Sequence, residues 1–145
     1  MRGLLAEILS SEAEITVVDM EAGLEHLSRS GGTLKYVDHL MVVVEPYAKA
    51  IETARRTLRL SAELGIPRTS ILASKVRDEE EMALVRRLCE EFQAELIGVI
   101  PYDDAVRLAD REGLPPIETA PNSPMVKAVE ELAKRLDESR SAVPV

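Results

Sequence analysis

The amino-acid sequence predicts an α/β domain: a partial Rossmann-like, mostly parallel sheet of about four strands with helices on both faces. Three observations lead there. Short apolar runs rich in β-branched residues alternate with longer segments whose apolar positions recur every three or four residues. The run LMVVVEP, residues 40–46, is apolar at consecutive positions up to Glu45, the pattern of a strand covered on both faces. Glycine, proline and acidic residues stand at the junctions, where chains turn and helices start.

The elements follow in order. Leu4, Leu5, Ile8 and Leu9 have helical spacing, and Ser10 or Ser11 ends that segment. Ile15 to Val18 reads as a short buried strand, and the SRSGGT segment, residues 28–33, as a flexible connection to the strand at 40–44. From Tyr47 to Leu64, the residues Ile51, Ala54, Leu58 and Ala62 mark one apolar helix face, closed by Gly65 with Pro67 just beyond.

TSILASKV, residues 69–76, resumes a strand. The acidic run at 78–81 then opens a helix at its favourable N-terminal end, with Met82, Val85, Leu88, Cys89 and Phe92 on the apolar side. LIGVI, residues 96–100, is the next strand, followed by a helix near 103–111. Pro115, Pro116 and Pro121 interrupt the chain; Ser123 then caps a last helix that has Pro124 at its first position. One incomplete domain over residues 1–137 and a flexible tail over 138–145 are expected.

Composition narrows the function. The chain has 145 residues with 18 basic and 26 acidic side chains, a formal charge of -8. That balance argues against nucleic acid or an anionic membrane as the main partner, since both need a concentrated basic surface. The single Cys89 allows no internal disulfide and fits a reducing cytoplasm. Neither a signal-like leader nor an apolar run of about 18 residues is evident, so secretion and membrane spanning are not expected.

In an open α/β sheet, ligands collect outside the C-terminal ends of the strands. Four segments are expected there: Asp19 to Gly23, Glu45 to Tyr47, Ser74 to Val76, and Pro101 to Asp104. An aspartate leaving an apolar strand can hold a water on Mg²⁺, and a glycine four residues later lets main-chain N–H approach a phosphate oxygen. DMEAG, Asp19 to Gly23, has that arrangement, though such a segment is more often a strand end whose carboxylate caps the next turn. Lys75 can lay its alkyl stem along a base; Asp103 can accept from a base or cap the following helix.

Other reactive residue types offer less. Glu25 and His26 are adjacent, not at the three- or four-residue separation of helical metal ligands, and His39 reads as a packed or capped histidine. Cys89 lies within a helix and reads as a small core residue. No GxxxxGK[ST] segment occurs in the 145 residues: the GG at 31–32 is followed by TLKYVD. Without that lysine and its ring of backbone donors, a triphosphate loses its main charge stabilisation.

The ordered set DMEAGLEHLSR, VVVEPYAKAIETARRTLRLSAELGI, ILASKV and LIGVIPYDDAVRLADREGLP resembles the CooC-type ATPases. These are nickel-insertion accessory proteins of carbon monoxide dehydrogenase, within the MinD/ParA/NifH-like class of P-loop ATPases. The resemblance covers about residues 2–136 and corresponds to the C-terminal two-thirds of that family. It implies that Asp19 is the Mg²⁺-side aspartate, acting through water when nucleotide is bound, and that Gly23 is the switch glycine that senses the γ-phosphate. Ser74 and Lys75 stand where the family has NKV, whose asparagine reads adenine, and Ser74 departs from that pattern. Pro101, Tyr102 and Asp103 match a segment beside the base.

Family members are dimeric, switch on ATP binding, and hold nickel with a cysteine pair. The resemblance places that pair, the phosphate-binding loop and a central strand upstream of the residues corresponding to Met1. It therefore implies a chain that neither binds nor hydrolyses ATP alone, with no cofactor of its own, and ATP or ADP with Mg²⁺ only when completed. A sheet lacking its central strand leaves apolar edges unpaired, which implies rearrangement, self-association or a strand-supplying protein. A nickel enzyme is the implied downstream partner. Beside this reading stand a non-enzymatic interaction or regulatory domain that reuses the fold, and an enzyme with its own chemistry at the carboxylate rim.

Overall fold

The computed structural model describes residues 15–20 and 37–141, with side chains as far as residue 138. Three parallel strands, β1 (His39–Val44), β2 (Arg68–Val76) and β3 (Glu95–Pro101), form a sheet in the order β1-β2-β3. Helices α1 (Ala48–Glu63) and α2 (Glu79–Phe92) make the crossovers. After β3 come α3 (Asp104–Glu112), the single turn α4 (Pro116–Thr119) and α5 (Pro124–Ser141). The last helix continues through residue 141, past the boundary expected at 137.

Both crossovers step the same way across the sheet, and connections of one hand then put both helices on one face. Accordingly Ile51, Ala54 and Leu58 of α1 and Met82, Val85 and Leu88 of α2 share a core with Val42, Val44, Ile71 and Ala73. The opposite face carries a smaller core, in which Leu132 and Leu136 of α5 meet Leu72, Ile97, Met41 and Ile100. Gly98 permits the close approach there: a Cβ at that position would lie 3.1 Å from Leu72 Cδ1 and 3.6 Å from Leu132 Cδ1. Arg135 of α5 donates to the Ile97 carbonyl at 2.7 Å, beside an irregularity in the β2–β3 register.

Local chemistry fixes the helix ends. The Ser61 carbonyl accepts from Ile66 N–H and the Ala62 carbonyl from Gly65 N–H, with Gly65 at φ +68°, a left-handed stop after α1. Asp78 accepts the Glu81 N–H at 2.8 Å, while the Glu81 carboxylate accepts the Arg77 N–H at 2.7 Å, a reciprocal start for α2. Ser123 accepts the Val126 N–H at 3.3 Å ahead of Pro124, as the sequence leads one to expect.

One expected strand is not there. Residues 15–18 carry no strand pairing, and Ile15, Val17 and Val18 are exposed, Val17 by 83%. Four β-branched residues form a strand only against a ladder partner, and no described strand flanks them. The edge of β1 away from β2 likewise has no partner among the described residues. Its face opposite α1 is only partly covered: Val43 is 59% exposed, between Val42 at 7% and Val44 at 1%. The expected helix at 4–9 and the 28–33 segment lie outside the described residues.

Candidate functional site at the C-terminal rim

Parallel pairing aligns the C-terminal ends of β1, β2 and β3, so the residues that follow them meet on one rim. Glu45 follows β1, Ser74 and Lys75 precede the last residue of β2, and Pro101, Tyr102 and Asp103 leave β3. The β2–β3 register shifts between Ser74 and Val76, so Ser74 pairs with Ile100 and Val76 with Pro101, leaving Lys75 as the unpaired residue. Lys75 has φ +59°, a left-handed conformation that costs a non-glycine residue about 1 kcal/mol. Its ammonium meets Glu45 Oε1 at 2.9 Å, a bridge from β2 to β1 between exposed side chains.

Tyr102 is the aromatic centre of the rim. Its N–H donates to the Val76 carbonyl at 2.9 Å, which continues the β2–β3 ladder one step, and its hydroxyl donates to Asp104 Oδ1 at 3.2 Å. The Arg77 guanidinium lies over its ring, 4.2 Å from the centroid. Arg107 donates to the same Asp104 oxygen at 3.2 Å. The Asp104 hydrogen bond raises the pKa of that exposed guanidinium, with Tyr102 a further cause.

Asp103 joins two helices. Its Oδ1 accepts the Ala105 N–H at 2.9 Å at the start of α3, and its Oδ2 accepts the Met125 N–H at 3.2 Å at the start of α5. Desolvation pushes its carboxyl up, but hydrogen bonds from Met125, Ala105, Ser123 and Val106 outweigh it, and its pKa is lowered. Both oxygens are thus engaged by the main chain, the capping role that the sequence left open.

Of the residues expected at the site, the fold brings together Ser74, Lys75, Pro101, Tyr102 and Asp103. It does not bring Asp19 to them on a strand: Asp19 is exposed, in a stretch without regular structure. Gly23, Glu25 and His26 lie outside the described residues. Arg77 and Arg107 were missed by sequence reasoning. The available signal for Arg77 was its place just past the SKV strand end, directly before the acidic helix start.

The remaining chemical candidates lie elsewhere. His39 sits at the opposite end of the sheet, with Nε2 2.7 Å from Oγ of the fully buried Ser70, the packed histidine expected from sequence. Desolvation and the nearby Arg68 lower its pKa, against an opposing pull from Glu95. Burial raises the Cys89 thiol, which keeps it protonated and unreactive. Among the described residues no group of three or more His, Cys, Asp or Glu is arranged to hold a metal ion, and no helix is long and apolar enough to cross a membrane.

No protein-family model matches the chain. Among curated proteins, it is 36% identical over 115 residues to an uncharacterized ATP-binding protein of Methanocaldococcus jannaschii, a match covering 79% of this chain and 44% of that protein. It is 35% identical over 121 residues to the carbon monoxide dehydrogenase accessory protein CooC of Rhodospirillum rubrum, covering 83% of this chain and 44% of CooC. Among solved structures, the septum site-determining protein MinD of Pyrococcus horikoshii, complexed with Mg-ADP, superposes with a TM-score of 0.74 at 17% identity. That match covers 98% of this chain and 58% of MinD.

Over most of its own length the chain is similar to P-loop NTPases of the MinD/ParA/CooC-like type. It spans about half the length of the curated relatives it matches. A ParA-family ATPase of Chlorobium tepidum has the same fold, with a TM-score of 0.74 at 23% identity, over 91% of this chain and 54% of that one. The parallel sheet flanked by helices is thus the architecture of the MinD/ParA/CooC-like family, and the rim at Ser74, Lys75 and Tyr102 lies at its strand ends.

Proposed function

We propose that this chain is the base-side and switch-side portion of a CooC-type, nickel-insertion ATPase. In this reading a phosphate-binding loop from outside residues 1–145 must join it before ATP is held or hydrolysed. The observation that carries it is β1. HLMVVV has the composition of an interior strand, without lysine, proline or glycine to protect an edge, yet it is the terminal strand of the described sheet and exposes Val43. A strand joining that edge would restore its ladder and bring a phosphate loop to the rim beside Lys75.

Three further facts support the reading. The 145 residues contain DMEAGLEH and lack GxxxxGK[ST], and the chain is 35% identical to a CooC protein. In this reading Mg²⁺ is held at Asp19, through water, only together with nucleotide. The contributions of the chain's own residues are then limited: Tyr102 and Lys75 border a base, and Asp19 and Gly23 lie toward the phosphates. Docking onto a nickel enzyme and a cytoplasmic setting belong to the same reading.

A hydrolysis assay tests it. The chain is mixed with a separately produced segment that carries GKGGxGKT and a cysteine pair, and phosphate release from Mg²⁺–ATP is followed. The expected result is turnover only in the mixture, abolished by Asp19→Ala. Turnover by the 145-residue chain alone contradicts the proposal. A second reading, an interaction or regulatory domain without catalysis, draws on the exposed apolar residues Leu108, Leu114 and Ile117 around α3 and α4. It gains if a stable complex with the added segment forms and stays inert.

A further inference from the structure

The rim carries a flat, layered element, Arg77 over Tyr102, in which neither the strand pattern nor the resemblance gives Arg77 a role. We propose that Arg77, stacked over Tyr102, is the platform on which a purine nucleoside lies, and that the base is held by stacking and not by reading its edge. This rests on the base-side reading above.

The geometry favours a platform. The Arg77 guanidinium carbon sits over the Tyr102 ring, 4.2 Å from its centroid, within stacking distance. The Arg77 side chain is 59% exposed, which leaves room for a second flat group. A guanidinium is planar and delocalised and stacks with aromatic rings and nucleobases. Both layers are tethered. Tyr102 is held by its N–H on Val76 and its hydroxyl on Asp104, and Arg77 by its N–H on Glu81 at 2.7 Å and its Nη1 on Glu81 at 3.5 Å. Tethering before binding reduces the ordering cost that a ligand must overcome.

The chemistry of the neighbours decides which part of a nucleotide lies here. Lys75 is paired with Glu45, Arg77 with Glu81 and Arg107 with Asp104. Each rim cation thus has a carboxylate partner, and the cluster is a poor anion site. A neutral, flat, polarisable group fits better. Edge reading is also poorly supplied. The Ser74 hydroxyl presents one donor and its acceptors on a single atom, so it cannot offer a donor and an acceptor to two adjacent base atoms as an amide does. Asp103 already accepts main-chain N–H groups with both oxygens. Stacking tolerates any purine, since each presents a π face.

The test is an NMR titration of the whole 145-residue chain with adenosine and then guanosine, which need no phosphate loop. The expected result is a shift of the Arg77 Nε–H and Tyr102 ring resonances, with adenosine and guanosine affinities within about threefold. Arg77→Ala weakens adenosine binding about tenfold, and Arg77→Lys, which keeps the charge without the plane, weakens it comparably. Amide spectra away from the rim check that each variant is folded, and the lysine variant serves if the alanine variant is not. Adenosine shifts at Ser74, Lys75 and Tyr102 that are unchanged by both substitutions overturn the Arg77 platform and leave the base-side reading standing. A preference of tenfold or more for adenosine overturns recognition by stacking alone. No rim shift with either nucleoside overturns the platform, while the base-side reading stands or falls on the hydrolysis assay with the added segment.

Discussion

Lys75 shows how a single residue can bend a site into shape. It is unpaired at the end of β2 and left-handed at φ +59°, and its side chain returns across the rim to Glu45. Alanine and glycine both delete that ion pair, but only glycine adopts the left-handed region without a Cβ penalty. Lys75→Gly is therefore expected to be more stable than Lys75→Ala by about 1 kcal/mol, measured from urea midpoints. The conformation was invisible in the sequence, where SKV reads as the plain continuation of a strand; only pairing with β3 creates the register shift. His39 gives the pH dependence. Its folded pKa lies below an imidazole's ordinary value of about 6.5, so the unfolded chain binds the proton more readily. Its contribution is complete above that value and is lost as pH falls through the lowered one. Denaturation at a series of pH values is expected to show a shallower loss as pH falls below the ordinary imidazole value for His39→Gln than for the parent.

Elements were legible where periodicity and capping agreed. The face of α1 with Ile51, Ala54 and Leu58, the acidic start of α2 and the Ser123–Pro124 opening of α5 are all as the sequence implies. The sequence could not tell whether residues 15–18 would find a ladder, because a strand depends on a neighbour and a helix on its own hydrogen bonds. Asp103 was legible as a cap for α3, whereas its second bond to Met125 joins residues 22 apart and follows only from the fold. Asp103→Ala removes an acceptor from two helix starts and is expected to cost about 1–2 kcal/mol, read by thermal or urea unfolding. Asp103→Asn, which keeps one acceptor oxygen, is expected to cost less.

At the scale of the molecule, the two faces of the sheet differ. One is covered by α1 and α2, while on the other α5 covers β3 and leaves Val43 of β1 exposed. The fold class was readable from alternating strands and helices, and the meeting of Ser74, Lys75 and Tyr102 on one rim from the position of strand ends. Asp19 has no strand pairing among the described residues, and Gly23 lies outside them. This asymmetry motivates the central claim, that nucleotide binding requires a phosphate-binding loop supplied from outside residues 1–145. Calorimetry of the isolated chain with Mg²⁺–ATP and Mg²⁺–ADP tests it most directly. The account predicts binding no tighter than the millimolar range for either nucleotide; submicromolar binding of either would contradict it.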